Sequence, residues 1–253
     1  MNFAVIDKHK LIIGLSPKSG CTHIKHLAFR IAYGHRYEHL NGRIHIEPKL
    51  ENLLIGSENN LLQSIKENPK LKEYTVVGIM RNPYKRLVSG FLDKYQPPNI
   101  NNKRGGDYYE RFDKPRTFKR FTNRLLKNDS ETVDLHHFET QINDANAILE
   151  IKDLVPDFRI WDLKNIDYDF LNKRCKINDL STIYRGPHSR SAKSLKKWNQ
   201  NTDLCVAELG LPRYIEYAVP YNLFYTSDIK EKIKKYFHKD LKVAEMQNIV
   251  YDI

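Results

Sequence analysis

The sequence predicts an α/β chain with a central, mainly parallel sheet flanked by helices, and three observations carry that expectation. Short apolar runs that read as buried strands occur at "KLIIGLS" (10–16), "YTVVGIM" (74–80) and "FRIWDL" (158–163). The first two each pass through a loop directly into a stretch of helical period. Further helical stretches alternate with them, as crossover connections of a parallel sheet require. Ligands of such sheets gather at the carboxyl ends of the strands.

Each element has a local reason. The run at 10–16 stops at Pro17, and from Thr22 the residues Ile24, Leu27, Ala28, Ile31 and Ala32 fall on one helical face, with Gly34 as the stop. Residues 35–56 hold three histidines and no clear period. Ser57 can cap a helix over "SENNLLQSIKENP" (57–69), which Asn68-Pro69 would end. After the strand at 74–80 come Arg81, then Asn82 as a cap and Pro83 at the first helical position. Leu87, Val88, Phe91, Leu92 and Tyr95 make one apolar stripe before Pro97-Pro98. A long polar loop is expected over 97–116, helices over 117–127 and 131–150, and a basic irregular segment over 184–198. A last helix starts near Ser227 and places Ile229, Ile233, Phe237 and Leu241 on one face.

The chain has 253 residues, 40% of them hydrophobic, without repeats or low-complexity tracts, so one folded domain over 1–253 is expected. Its formal net charge of +11 should attract anions, whether nucleic acid, a phosphorylated cofactor, an acidic glycan or a membrane surface. The three cysteines, Cys21, Cys175 and Cys205, form no CxxC pair, which argues against a zinc site or a disulfide framework and suits a reducing compartment. Charged residues interrupt the N-terminal apolar run early, so no membrane segment or signal peptide is visible. A soluble cytoplasmic protein is the expectation, and the Golgi lumen if the sequence is trimmed from a longer chain.

"PKSGCT" (17–22) lies between strand and helix, where free N–H groups and the positive end of the helix dipole make an anion site. Gly20 allows close backbone approach, Thr22 offers a hydroxyl and Lys18 a charge. The Walker pattern needs lysine after the second glycine; here Cys21 holds that place and Lys18 precedes Gly20. A nucleoside triphosphate also needs a metal-binding acid, commonly at another strand end, where this chain has Arg81. Both strand ends are positive and neither offers a metal ligand. An anionic nucleotide bound without magnesium follows.

Together, "PKSGCT" and "RNPYKRLVSGFLDKY" (81–95) resemble the cofactor signature of the sulfotransferases, in particular the carbohydrate sulfotransferases of the chondroitin and HNK-1 type. The second segment matches their R-[DE]-P-x-x-R-L-x-S-x-[FY], departing at Asn82 where an acid is usual. Weaker likenesses are "HFETQ" (137–141) to H-[WF]-x-P-Q, "IDYDFL" (166–171), and "IKKYFHKDLKVAE" (233–245). The resemblance implies a P-loop-like three-layer sulfotransferase fold and the donor PAPS (3′-phosphoadenosine 5′-phosphosulfate), without metal. It implies that Lys18, Ser19, Gly20, Cys21 and Thr22 hold the 5′-phosphosulfate, and Arg81 and Ser89 the 3′-phosphate. The acceptor would be a hydroxyl, most readily of a glycan, itself anionic in some cases.

Transfer to a hydroxyl needs a general base, for which histidine or glutamate is suited at neutral pH. Of ten histidines, His45 in "GRIHIEP" ranks first, with Glu47 nearby to orient it or act itself. His137, beside His136, ranks second; His23 and His26 follow the phosphate loop. Lys18 would also stabilise the leaving oxygen. Competing expectations are a P-loop-type nucleotide kinase, a basic nucleic-acid-binding protein, for which no specific motif is present, and a sulfotransferase fold that binds PAPS without chemistry.

Overall fold

The computed structural model describes residues 1–16, 19–38, 43–95, 115–182, 196–198, 205–210 and 217–252. The strands are β1 (Asn2–Ile6), β2 (Leu11–Leu15), β3 (Leu54–Ile55), β4 (Thr75–Met80), β5 (Asp157–Asp162), β6 (Lys196–Lys197) and β7 (Tyr217–Ala218). The α-helices are α1 (Cys21–Tyr33), α2 (Pro48–Glu51), α3 (Glu58–Glu67), α4 (Pro83–Lys94), α5 (Phe118–Leu126), α6 (Leu135–Phe138), α7 (Ala145–Leu154), α8 (Tyr168–Cys175), α9 (Ser227–Tyr236) and α10 (His238–Glu245). They fall into two compact units. The sheet unit comprises Met1–Arg81, Thr140–Pro187 and Lys239–Val250, and the helical unit Asn82–Glu139, His188–His238 and Tyr251–Ile253.

The sheet has the order β3-β1-β2-β4-β5. β2, β4 and β5 are parallel, as the three apolar runs predict, with Gly14 opposite Gly78 and Gly78 opposite Ile160. β1 and β3 add antiparallel pairs on one edge and were not expected. All six residues of β4 are buried, which suits a central strand covered on both faces.

Side chains alternate across the sheet and so divide between two cores. One face carries Phe3, Ile12, Val76, Met80, Phe158 and Ile160, packed with residues of α3 and α7 and with Val243 of α10. The other carries Ala4, Ile6, Leu11, Ile13, Val77 and Ile79, packed with α1 and α8. The result is a three-layer α/β/α unit, the expected fold class. In α1, Gly34 at φ 78° closes the helix with its N–H on the Arg30 carbonyl at 2.9 Å. At the start of α3 the Ser57 N–H donates to Asn60 Oδ1 at 3.0 Å.

The helical unit is held by an aromatic core: Tyr84, Phe91, Tyr95, Phe118, Phe121, Phe138, Phe224 and Phe237 are all nearly or fully buried. Phe121 and Phe138 meet edge-on at 4.7 Å between centroids, a favourable ring geometry. Its two-stranded pair is β6-β7.

Two expected helices are each divided. The stretch 131–150 holds α6 and α7, separated because the N–H groups of Gln141 and Ile142 donate to the Asp240 carboxylate (3.0 and 2.9 Å) instead of to carbonyls one turn back. Asp144 then restarts the helix, accepting from the N–H groups of Asn146 and Ala147 at 2.9 and 3.1 Å. The last helix breaks at Phe237 into α9 and α10. Ile229, Ile233 and Phe237 belong to the aromatic core, whereas α10 contributes Val243 to the sheet core, so Leu241 does not continue their face.

Candidate cofactor-binding site

The loop from β2 to α1 is pinned from below. Ser19 is fully buried; its hydroxyl donates to Gln141 Oε1, and its N–H to the Ser16 carbonyl at 3.3 Å. The Ser16 hydroxyl donates to the Gln141 carbonyl at 3.3 Å. Pro17 and Lys18 lie outside the described residues. Gly20 sits at φ 75°, and a Cβ there would fall 2.7 Å from Leu163 Cδ1, so both conformation and space demand glycine. The Ile24 N–H closes the first turn of α1 on the Gly20 carbonyl at 2.9 Å. The first turn of an α-helix leaves its N–H groups unpaired by the helix's own carbonyls, and no acid stands in this one. The loop end of α1 is therefore a cationic pole suited to an oxyanion.

One expected base reaches this pole. His45 lies in a short 3-10 turn (Arg43–Ile46), and its Nε2 is 2.9 Å from the Thr22 hydroxyl. Glu47 instead caps α2, its carboxylate accepting from the Lys49 N–H at 3.3 Å. His23 bonds the Tyr168 hydroxyl at 2.7 Å, and His26 is buried, edge-on to Tyr37. Burial, then the neighbouring His23, lower the pKa of His26, which marks it as a packing histidine.

The carboxyl end of β4 adjoins the same end of the sheet, because β2 and β4 are parallel neighbours. Arg81 follows it, partly exposed, with its main chain clamped by Gln141: the Arg81 N–H donates to Oε1 at 2.9 Å and its carbonyl accepts from Nε2 at 2.8 Å. One buried side chain thus touches the segments that follow both β2 and β4 in the sheet unit.

In the helical unit, Asn82 caps α4 by accepting from the Lys85 N–H at 3.2 Å, and Pro83 fills the first helical position. Ser89 is partly exposed on α4. His137 pairs through Nδ1 with the Asp134 carboxylate. Burial opposes ionisation of Asp134, yet the hydrogen bond and charge of His137, with Lys94 beside it, hold its pKa below the ordinary value. The basic positions Arg185, His188, Arg190 and Lys193 lie outside the described residues.

A family model described as "Sulfotransferase family" matches residues 1–243. The chain belongs to the sulfotransferase family. It is 30% identical over 138 residues to carbohydrate sulfotransferase 10 of Danio rerio, covering 52% of this chain and 34% of that protein. It is 28% identical over 149 residues to carbohydrate sulfotransferase 10 of Pongo abelii, covering 56% of this chain and 38% of that protein. The matched region thus spans little more than a third of these curated relatives. No solved structure gave a significant match.

Within this family member, the segment 81–95 also carries a structural arginine. Arg86, the second arginine of the segment, is fully buried. Its guanidinium donates to the carbonyls of Glu139 (2.6 Å) and His137 (3.1 Å) and lies over the Phe237 ring. Capping remains intact at Asn82, and its amide does what the usual acid cannot, donating to the Asp252 carbonyl at 2.9 Å. Gln141 and Asp240 were not singled out as site residues. The signals in the sequence were the place of Gln141 at the end of "HFETQ" and that of Asp240 inside "IKKYFHKDLKVAE". Among the described residues no group of three or more His, Cys, Asp or Glu side chains is arranged to hold a metal ion, and no helix is long and apolar enough to cross a membrane.

Proposed function

We propose that this sulfotransferase-family chain moves the sulfuryl group of PAPS to a carbohydrate hydroxyl by metal-independent in-line transfer. The observation that carries the reading is the pairing of two cationic strand ends: the acid-free start of α1 after β2, and Arg81 after the neighbouring parallel strand β4. Lys18, Gly20, Cys21 and Thr22 hold the 5′-phosphosulfate, with Ser19 anchoring their loop from beneath. Arg81 and Ser89 hold the 3′-phosphate. The names of the two relatives support a glycan acceptor, and the net charge of +11 supports an anionic one.

His45 acts as the general base. In the tautomer protonated at Nδ1, Nε2 accepts from Thr22, and an acceptor hydroxyl can compete for that lone pair. As the acceptor oxygen bonds to sulfur, its proton passes to His45, and the bond from sulfur to the bridging phosphate oxygen breaks. Lys18 and the N–H groups of α1 stabilise the charge that this oxygen gains. His137 is the second candidate. The three free cysteines support a reducing, cytoplasmic setting.

Incubation with PAPS carrying labelled sulfate, a chelator and a panel of neutral and acidic glycans tests the reaction. Label is expected on at least one glycan class. Donor binding without transfer to any hydroxyl acceptor would leave a nucleotide-binding protein and contradict the proposed chemistry.

A further inference from the structure

Gln141 is buried at 1% exposure, and its side-chain amide is saturated. An amide oxygen accepts two hydrogen bonds and its NH2 donates two. Here Oε1 accepts from the Ser19 hydroxyl and the Arg81 N–H, while Nε2 donates to the Arg81 carbonyl and, at 3.1 Å, to Asp240 Oδ2. Only one orientation serves, because Arg81 offers an N–H to the oxygen and a carbonyl to the nitrogen, and Asp240 can only accept when ionised. Its main chain is fixed as well, by Ser16 on its carbonyl and Asp240 on its N–H.

We infer that Gln141 is a positioning residue that sets the separation between the phosphate loop and Arg81, held in register by Asp240. This rests on the reading above that the loop and Arg81 grip the 5′ and 3′ phosphates of one nucleotide. A ligand with phosphate at both ends senses that separation; a ligand with a 5′-phosphate alone senses only the loop. Gln141 therefore controls the preference for a 3′,5′-bisphosphate over a 5′-monophosphate without touching either.

The test is magnesium-free titration of adenosine 3′,5′-bisphosphate and adenosine 5′-monophosphate into the wild type, Gln141→Glu and Ser19→Ala, with thermal unfolding in parallel. Gln141→Glu keeps two acceptors, loses both donors and meets Asp240 with like charge. Ser19→Ala removes only the arm to the loop and serves should Gln141→Glu not fold. The wild type is expected to prefer the bisphosphate, and that preference to shrink about tenfold in the variants, as misplacement of a contact by about an ångström readily produces. Variants that lower the unfolding temperature yet keep the wild-type preference well below it would make Gln141 merely structural and overturn the inference. A wild type with no preference for the bisphosphate would instead overturn the sulfotransferase reading, and this inference with it.

Discussion

The Thr22 hydroxyl and His45 Nε2 lie 2.9 Å apart, joining the first turn of α1 to a residue 23 positions further along the chain. This contact brings a histidine from outside α1 to its first turn, in which no acid stands.

His45→Gln is accordingly expected to lower kcat by about 100-fold or more, the usual contribution of a general base, with little change in bisphosphate affinity. Thr22→Val should leave the base in place and reduce kcat less. Steady-state rates with direct binding measurements separate these effects. A large loss in His137→Gln with none in His45→Gln would reverse the ranking of the two bases.

Gly20→Ala should destabilise the sheet unit by about 1–2 kcal/mol through the left-handed backbone alone, and further through the contact with Leu163. Adding Leu163→Ala is expected to remove the second part and not the first, which a double-mutant cycle on unfolding free energies reads as coupling. Independent, additive losses would place the strain elsewhere.

Arg86→Met takes a charged donor from two partly buried carbonyls and is expected to lower stability by about 3 kcal/mol. Arg86→Lys should recover little, because an ammonium cannot reproduce the planar fork. Bisphosphate affinity measured well below the unfolding temperature should stay at the wild-type level. A stable variant that loses the nucleotide would make Arg86 a ligand instead.

His26 and Asp134 are among the groups that shape the acid limb of stability. His26 has a lowered pKa in the fold, so the unfolded chain takes up its proton first and stability declines as pH falls below about 6.5. Asp134 is also lowered, so its contribution is full above about pH 3.9 and is lost as pH falls through its folded value. Urea unfolding across pH 3–7 should show the first slope flatten in His26→Gln and the second in Asp134→Asn. Unchanged slopes would exclude these groups as the cause.

The three parallel strands and the helices that follow two of them are legible in the sequence because apolar run, cap and stop agree locally, as at Asn82-Pro83 and Gly34. β1 is marked as well: "NFAVI" and "LIIGL" flank the polar turn "DKHK" in a hairpin pattern. The division of the stretch 131–150 was not, since it depends on Asp240 bonding residues 98 and 99 positions away. Burial of Arg86 escaped for the same reason: its acceptors are carbonyls about 50 residues on. Local pattern identifies the loops that follow β2 and β4. The side chains that fix those loops are visible only once distant segments meet.

The most direct measurement is calorimetric titration of adenosine 3′,5′-bisphosphate, without magnesium, into the wild type and Arg81→Ala, with ATP as the comparison. Binding on the order of micromolar is expected for the wild type. Loss of the arginine should cost about 1.5–3 kcal/mol, as for a charge-assisted contact, and ATP should bind weakly. A chain that ignored the bisphosphate and bound ATP tightly with magnesium would contradict PAPS as donor and return the loop to kinase-like chemistry.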